Sequence, residues 1–430
     1  MSRTSPAVAR AHGDEKVGSK LTRFSFTALR NRNYRNFFVG TAISNIGTWV
    51  HRIGQDWLVL ELTNSGKALG IVVSAQFLPG FFFSLFGGTL ADKLDRRRAL
   101  VAINLFGCAI ALTLGILVIN DMANVITVTV AAFLLGTCTA IDGPIRQSYY
   151  VILVGENILP NALALNSLNI NIGRLIGPVL SGMLIERFDT GPSFIINSFS
   201  YLVVAATVFM IRPSEYQLPP TVNNLEKTPK IRDGIVHVYS SKELFLSIIC
   251  VSFLAMWGQD MQITSAMMAK ETFERGAASF GLLGTAVALG AIAGALVISR
   301  KTSLPTVRDV GIKSLLMAGA WFLASLAPNF TLFAGALFIC GYCAMGVNIS
   351  GNGTLRTYTS PQFYGRAWGI YIFMWQSLIA LGAPVLGWIN ETYSPRIAVA
   401  FGATMALLMS LFILRKYSAL HNDLVLKDSH

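Results

Sequence analysis

A dense block of charge lies directly between two long apolar runs near residue 90. The segment from Gly88 to Arg98 contains Asp92, Lys93 and Asp95, followed by three consecutive arginines. Lysine and arginine are costly to move across a bilayer, so short basic loops stay on the cytoplasmic side. The pattern predicts a short cytoplasmic loop between two membrane helices, and this loop orients the whole chain.

The composition indicates a membrane protein before any motif is considered. Hydrophobic residues make up 53% of the chain and charged residues only 13%, about half the charged share of a soluble domain, and the mean hydropathy is +0.55. A spanning helix needs roughly 20 apolar residues. We therefore predict an all-α, polytopic fold with twelve spans near residues 34–62, 67–90, 98–119, 124–148, 163–186, 192–212, 244–268, 277–300, 308–327, 330–355, 364–390 and 396–415.

The distribution of basic residues predicts the orientation. Basic segments precede the first predicted span, separate the sixth from the seventh and follow the twelfth. An even number of spans puts all three on one side, so both termini are expected in the cytoplasm of a multi-pass protein of the cell inner membrane. The net charge of +12 is spread over these loops and tails. Because it forms no single basic face, we expect no nucleic-acid partner.

One long, proline-containing connection divides the chain into two halves. The predicted regions are a cytoplasmic tail (1–33), a first six-helix bundle (34–212), a cytoplasmic linker (213–243), a second six-helix bundle (244–415) and a second cytoplasmic tail (416–430). The end of the linker, residues 231–239, is either a short amphipathic helix on the membrane surface or a disordered segment.

Two short matches indicate that the halves repeat. Residues 177–182 match residues 383–388, and residues 145–147 match residues 355–357, at offsets of roughly 206 and 210 residues. Parallel repeats of this kind place a substrate site between the halves near mid-membrane. Transport would then proceed by rocking one half against the other.

Several motifs resemble those of the major facilitator superfamily. The loop from Gly88 to Arg98 resembles its signature loop between spans two and three, although Asp95 replaces the usual glycine. The stretch from Gly173 to Gly182 resembles its fifth-span antiporter motif, with Ser181 in place of a glycine. Residues 45–49, 55–58, 143–147 and 173–178 look like the enterobactin-exporter-like branch, which includes siderophore exporters and multidrug efflux proteins.

This resemblance implies proton-coupled export by a monomer with alternating access. The proton gradient is then the energy source, and no cofactor is expected. The implied partners are a small-molecule substrate, protons and membrane lipids.

Two interpretations of the signature loop stay open. A carboxylate is favourable beside the free N–H groups at a helix N-terminus. By resemblance, Asp92 would make such a contact with span eleven, and the predicted gating residues are Gly88, Asp92, Asp95, Arg96 and Arg97. The other interpretation is a basic loop that only orients the chain.

The fifth-span motif also has two interpretations. Gly173 and Gly177 lie four residues apart and permit close approach of a neighbouring helix, while Pro178 removes a backbone donor. With Gly182 they form the antiporter-like motif, which by resemblance implies antiport. Helix packing alone would explain the same residues.

Polar residues inside the spans predict the substrate or proton path, because a charge at a helix centre costs on the order of 2.5–3.5 kcal/mol. Asn45, Arg52 and Asp56 share one face of span one, with Gln55 beside it. Asp56 either neutralises Arg52 or carries the proton. Arg174 needs an anionic substrate group or an ion pair with Asp142 or Glu186. The remaining candidates are Asp142, Arg146, Asn166, Asn169, Gln259, Asp260, Asn348 and Asn352.

Other chemistries lack their patterns in the sequence. No phosphate-binding glycine loop ending in Lys-Ser/Thr occurs, which argues against an ATP-driven pump, and the five histidines have no metal-ligand spacing. We predict a secondary transporter, not an enzyme, that exports a siderophore-like or amphiphilic drug-like molecule by proton antiport. The alternatives are a proton- or cation-coupled symporter for uptake of an organic solute, a receptor on the same scaffold, and an integral membrane enzyme.

Overall fold

A computed structural model describes residues 26–83, 94–217, 231–259, 262–298 and 305–428, and the regular elements in these ranges are all helical. The first bundle contains α1 (Arg32–Thr63), α2 (Gly66–Phe83), α3 (Arg96–Ile119), α4 (Val125–Val154), α5 (Leu159–Phe188) and α6 (Gly191–Phe209). A short helix, α7 (Ile231–Ser240), follows. The second bundle contains α8 (Lys242–Leu254), α9 (Gln262–Met267), α10 (Ala277–Ile298), α11 (Val307–Ser325), α12 (Phe330–Thr357), α13 (Tyr364–Thr392) and α14 (Pro395–Asp428).

Ten helical segments of the described chain are long and apolar enough to cross a membrane. The two other long helices, α1 and α11, are less apolar because they carry charged residues such as Arg52, Asp56 and Lys313. Each helix buries one face against protein: α1 packs against α5 and α6, and α11 packs against α12 and α14. Charged side chains within a membrane helix are expected to face protein in this way, as buried Asp56 does and as Lys313 does in its hydrogen bond to Ser350. Together these segments make the predicted twelve-helix fold.

Side-chain caps mark the first turns of several helices. The Asn31 side chain accepts a hydrogen bond from the Tyr34 N–H at the start of α1, and Asp95 does the same for Arg98 at the start of α3. The first turns of α4 and α11 are closed by reciprocal capping boxes. Each cap satisfies N–H groups that the helix itself leaves free.

Two predicted elements differ from the observed helices. The seventh span was predicted as one helix over 244–268, but it is divided into α8, a π-helical turn at Ala255–Gln259, α9 and a second π-helical turn at Met268–Thr272. At the first turn, an added Cβ on Gly258 would overlap the indole of Trp321 on α11. The twelfth span was predicted to end at 415, whereas α14 continues to Asp428. The short helix α7 confirms the helical interpretation of residues 231–239.

The bundles meet along two seams, which we call the α2–α13 seam and the α5–α10 seam after the helices that pack there. We use "loop side" for the face that holds the turns at 64–65 and 189–190, and "terminus side" for the opposite face. On the loop side one apolar core joins both bundles, and the rings of Trp57 and Phe280 stack there with centroids 6.3 Å apart. Toward the terminus side, the core around Tyr34 and Tyr149 belongs to the first bundle alone. The protein is therefore closed on the loop side.

Candidate functional site

A polar cavity of about 350 Å³ lies inside the first bundle. Its described lining residues come from α1, α3, α4, α5 and α6, between mid-depth and the terminus side. Arg52, Arg146 and Arg174 contribute three guanidinium groups to the wall, and Asp142 contributes one carboxylate. The described wall thus has an excess of two positive charges, three minus one.

One of the arginines is paired with the carboxylate. Arg146 Nε donates to Asp142 Oδ2 at 2.6 Å, one helical turn apart on α4. The two side chains are 20% and 15% exposed, so the pair lies in the cavity wall with limited contact to solvent. The sequence predicts Asp142 as one ion-pair partner for Arg174, and the structure pairs Asp142 with Arg146 on its own helix.

The other two arginines flank an aromatic ring. The guanidinium carbons of Arg52 and Arg174 each lie 5.1 Å from the ring centroid of Trp49. Cation–π attraction of this kind is stronger in a partly desolvated site. Trp49 therefore holds two cationic groups, one from α1 and one from α5, at the same wall.

The fifth-span motif packs α5 against two neighbouring helices, and one of these contacts positions Arg174 beside Trp49. An added Cβ on Gly177 would overlap the Cβ of Trp49, and one on Gly173 would lie 2.8 Å from the carbonyl carbon of Asn45. These two glycines thus bring α5 against α1 on both sides of Arg174. Pro178 and Gly182 face α10 instead, where Gly182 approaches the backbone of residues 277–278.

The predicted face of span one reaches two cavities. Asn45 and Arg52 line the large cavity. Gln55 lines a smaller one of about 30 Å³ and its Nε2 donates to Gln76 Oε1 at 3.1 Å. Asp56 is 1% exposed and does not belong to the described lining of either cavity.

Two predicted asparagines of α5 have different surroundings. Asn166 lines the large cavity and accepts a hydrogen bond from the Tyr150 hydroxyl at 2.7 Å. Asn169 is 1% exposed and donates to the Phe38 carbonyl at 3.0 Å and to Thr41 Oγ1 at 3.1 Å. Asn169 therefore joins α5 to α1 and lies behind the cavity wall.

The predicted residues of the second bundle lie away from this cavity. Asn348 and Asn352 on α12 are half-buried and are outside its described lining. Asp260 and the side chain of Gln259 lie outside the described residues. The described cavity is consequently a feature of the first bundle.

The described part of the signature loop connects three helices. Asp95 caps α3, Arg96 Nε donates to Ser148 Oγ on α4 at 3.1 Å, and Arg97 Nη2 donates to the Phe209 carbonyl at 2.6 Å. Phe209 is the last residue of α6, where free carbonyl groups favour a cation. Gly88 and Asp92 lie outside the described residues, so their gating role stays a prediction.

Three further wall residues were missed by the sequence reasoning. Asn104, Tyr150 and Tyr201 line the cavity from α3, α4 and α6. The signal that could have found Asn104 is a lone amide within a strongly apolar span. Tyrosines are common in membrane helices, so no comparable signal distinguishes Tyr150 or Tyr201.

Comparison with known proteins identifies the family to which this chain belongs. Residues 23–425 match the family model described as "Transmembrane secretion effector". The chain belongs to the major facilitator superfamily. This superfamily member is a multi-pass membrane transporter and not an enzyme.

Curated relatives of this superfamily member are siderophore transporters at low identity. The staphyloferrin A transporter of Staphylococcus aureus is 22% identical over 305 residues, which cover 71% of this chain and 75% of that protein. The enterobactin exporter EntS of Salmonella choleraesuis is 23% identical over 398 residues, which cover 89% of this chain and 92% of that protein.

Solved superfamily transporters share the fold. A POT family transporter in complex with a thioalcohol-conjugated peptide aligns with a TM-score of 0.71 at 13% identity, covering 90% of this chain and 96% of that one. An inward-facing bacterial homologue of the human lysosomal transporter Spinster aligns with a TM-score of 0.66 at 14% identity, covering 92% and 96%. At such identities the likeness concerns the fold alone.

Proposed function

We propose that this transporter exports a siderophore-like, anionic small molecule in exchange for protons. The excess of two positive charges in the wall of the large cavity is the observation that carries the proposal. Guanidinium groups bind carboxylates and other planar oxyanions through paired hydrogen bonds. A wall with this net positive charge attracts an anionic substrate and repels a cationic drug.

The size and lining of the cavity suit a small organic anion with an unsaturated or aromatic part. Trp49 offers an aromatic surface between Arg52 and Arg174, and the asparagine and tyrosine side chains offer neutral hydrogen-bonding groups. The names of two relatives, a staphyloferrin A transporter and an enterobactin exporter, support a siderophore as the substrate.

The side on which the protein is closed corresponds to the loading state of the proposed export cycle. In this proposal the protein lies in the inner membrane, and the positive-inside rule places the terminus side in the cytoplasm. The large cavity lies toward that side, while the apolar core around Trp57 and Phe280 blocks the loop side. An exporter loads its substrate in such a conformation, and alternating access then exposes the cavity to the other side.

The energy source in this proposal is the proton gradient, and Asp56 carries the proton. Its side chain is buried on the same helix as Arg52, one turn closer to the loop side. A carboxylate placed beyond the substrate cavity exchanges its proton when the loop side opens. Asp56→Asn should therefore remove the dependence on a pH gradient while leaving substrate binding in place.

The test uses purified protein in proteoliposomes with an imposed pH gradient. Labelled staphyloferrin A serves as the anionic probe, and tetraphenylphosphonium serves as the cationic control. We expect movement of the anionic probe toward the loop side that stops when the gradient is collapsed. Unchanged transport after collapse would refute proton antiport. Transport of tetraphenylphosphonium alone would refute the anionic substrate.

A further inference from the structure

Two glutamates bind the first turn of a helix in the opposite bundle on the loop side. Glu391, near the end of α13, accepts the backbone N–H of Lys67 at 3.0 Å and pairs with the Lys67 ammonium at 3.0 Å. It also accepts the hydroxyl hydrogen bond of Ser65. Glu186, near the end of α5, accepts the backbone N–H of Ala278 at 3.3 Å.

The two contacts are equivalent in helix position. Lys67 is the second residue of α2, and Ala278 is the second residue of α10. The first N–H groups of a helix have no partner within the helix, and the helix dipole makes this end positive. Each glutamate therefore provides a charge-assisted cap, and each cap joins the two bundles.

The same correspondence continues deeper along both seams. Gly70 of α2 lies against the Ala383 carbonyl of α13, and Gly281 of α10 lies against the Pro178 carbonyl of α5. One turn further, Ser74 Oγ donates to the Ala380 carbonyl at 2.6 Å. In the other seam, Thr285 Oγ1 donates to the Leu175 carbonyl at 3.2 Å.

Constant sequence offsets relate these contacts. Positions 175, 178 and 186 of α5 correspond to positions 380, 383 and 391 of α13, a shift of 205 in each case. Positions 67, 70 and 74 of α2 correspond to positions 278, 281 and 285 of α10, a shift of 211 in each case. The two seams are thus the same arrangement of carboxylate cap, glycine contact and hydroxyl bond.

We infer that Glu186 and Glu391 are twin clasps that hold the loop side closed and that both must release before it opens. The inference rests on the alternating access of the proposed function, but not on the substrate, the direction or the coupling ion. The clasps lie on separate helix pairs, with α1 packed against both α2 and α5 between them. Their contributions should therefore be independent and additive.

The test measures how often the loop side opens, by maleimide labelling of a cysteine in its core. Ala266, which is 0% exposed in the core that joins the bundles, is replaced by cysteine in a protein whose five native cysteines are removed. Labelling occurs only from open molecules, so its rate follows the open population.

We expect Glu186→Gln and Glu391→Gln each to raise the labelling rate about fivefold, and the double variant about twenty-five-fold, since one helix-end carboxylate contributes up to about that factor. The matched control is Glu274→Gln, which changes an exposed loop-side carboxylate outside both seams and should leave the rate unchanged. A second reporter is Ala162→Cys, which is 0% exposed in the terminus-side core of the first bundle; it should stay slow in every variant.

Three results would overturn the inference. The double variant could label at the parent rate, it could label no faster than one single variant, or the Ala162→Cys reporter could accelerate in parallel, which would mean general loosening of the fold. The measurement needs neither substrate nor gradient. Failure of the proposed export would therefore leave the labelling result intact, and the reverse also holds.

Discussion

Replacing Asp142 by asparagine should weaken the fold and tighten anion binding at the same time. Asp142 and Arg146 form a 2.6 Å ion pair in the cavity wall, with 15% and 20% of their side chains exposed. Two unit charges with centres about 4 Å apart attract each other by about 4 kcal/mol at an effective dielectric constant near 20. Residual solvent contact and rearrangement of Arg146 reduce this value, so we expect the free energy of unfolding to fall by about 2 kcal/mol.

The same substitution should have the opposite effect on an anion in the cavity. It raises the excess charge of the described wall from two to three, because one carboxylate of the wall is removed. We expect about tenfold tighter binding of a small polycarboxylate, which corresponds to about 1.4 kcal/mol. Binding and stability would thus move in opposite directions, a combination that simple damage to the fold does not produce.

The assay combines thermal unfolding with citrate binding on detergent-purified protein. Citrate is chosen as a plain polycarboxylate probe, and its binding is followed by calorimetry. Asp121→Asn is the control, because Asp121 is an exposed loop-side residue with a positive φ angle that asparagine tolerates. The double variant Asp142→Asn, Arg146→Gln should recover part of the lost stability, since no unpaired charge remains.

Loss of citrate binding by a folded Asp142→Asn protein would refute the reasoning. Asp142 would then be a ligand for a cation or a hydrogen-bond acceptor for the substrate. Unchanged stability in this variant would show instead that the pair with Arg146 contributes nothing to folding.

Two other predictions concern the site. Arg174→Gln should weaken citrate binding about tenfold with little change in melting temperature, because it removes one of the wall charges. Calorimetry checks this, with Arg187→Gln on the exposed loop side as the control. Equal citrate affinities of Arg174→Gln and the parent protein would contradict the prediction. Gly177→Ala should lower the free energy of unfolding by about 1–3 kcal/mol, because the new Cβ would overlap Trp49. Gly335→Ala, where an added Cβ meets nothing within 4 Å, should leave stability unchanged or slightly higher in the same melting assay.

The span pattern was predictable because the membrane imposes a simple rule on the chain. Long apolar runs separated by short polar turns indicate spans. The close approach of Gly258 to the indole of Trp321 was not predictable, because the two residues are distant in the sequence.

The arginines of the cavity were predictable, but their partners were not. Arg52 and Arg174 are conspicuous because charge inside an apolar run is costly. Their common contact with Trp49 depends on how closely α5 packs on α1, which the glycines permit but do not specify. Glu186 and Glu391 lie near the C-terminal ends of their helices, and their contacts are with N–H groups of a helix in the other bundle. These contacts depend on how the bundles pack, which the sequence does not specify.

The matching seams have the geometry of a symmetric contact between two copies of one six-helix unit. In a contact between two identical copies, each residue occurs once in each seam, so any substitution would alter both seams together. When both copies belong to a single chain, the two seams can differ in sequence. Here Lys67 adds an ammonium group to the Glu391 contact, whereas Ala278 adds none to the Glu186 contact. In the duplicated chain, a substitution can therefore change the strength of the contacts in one seam without changing the other seam.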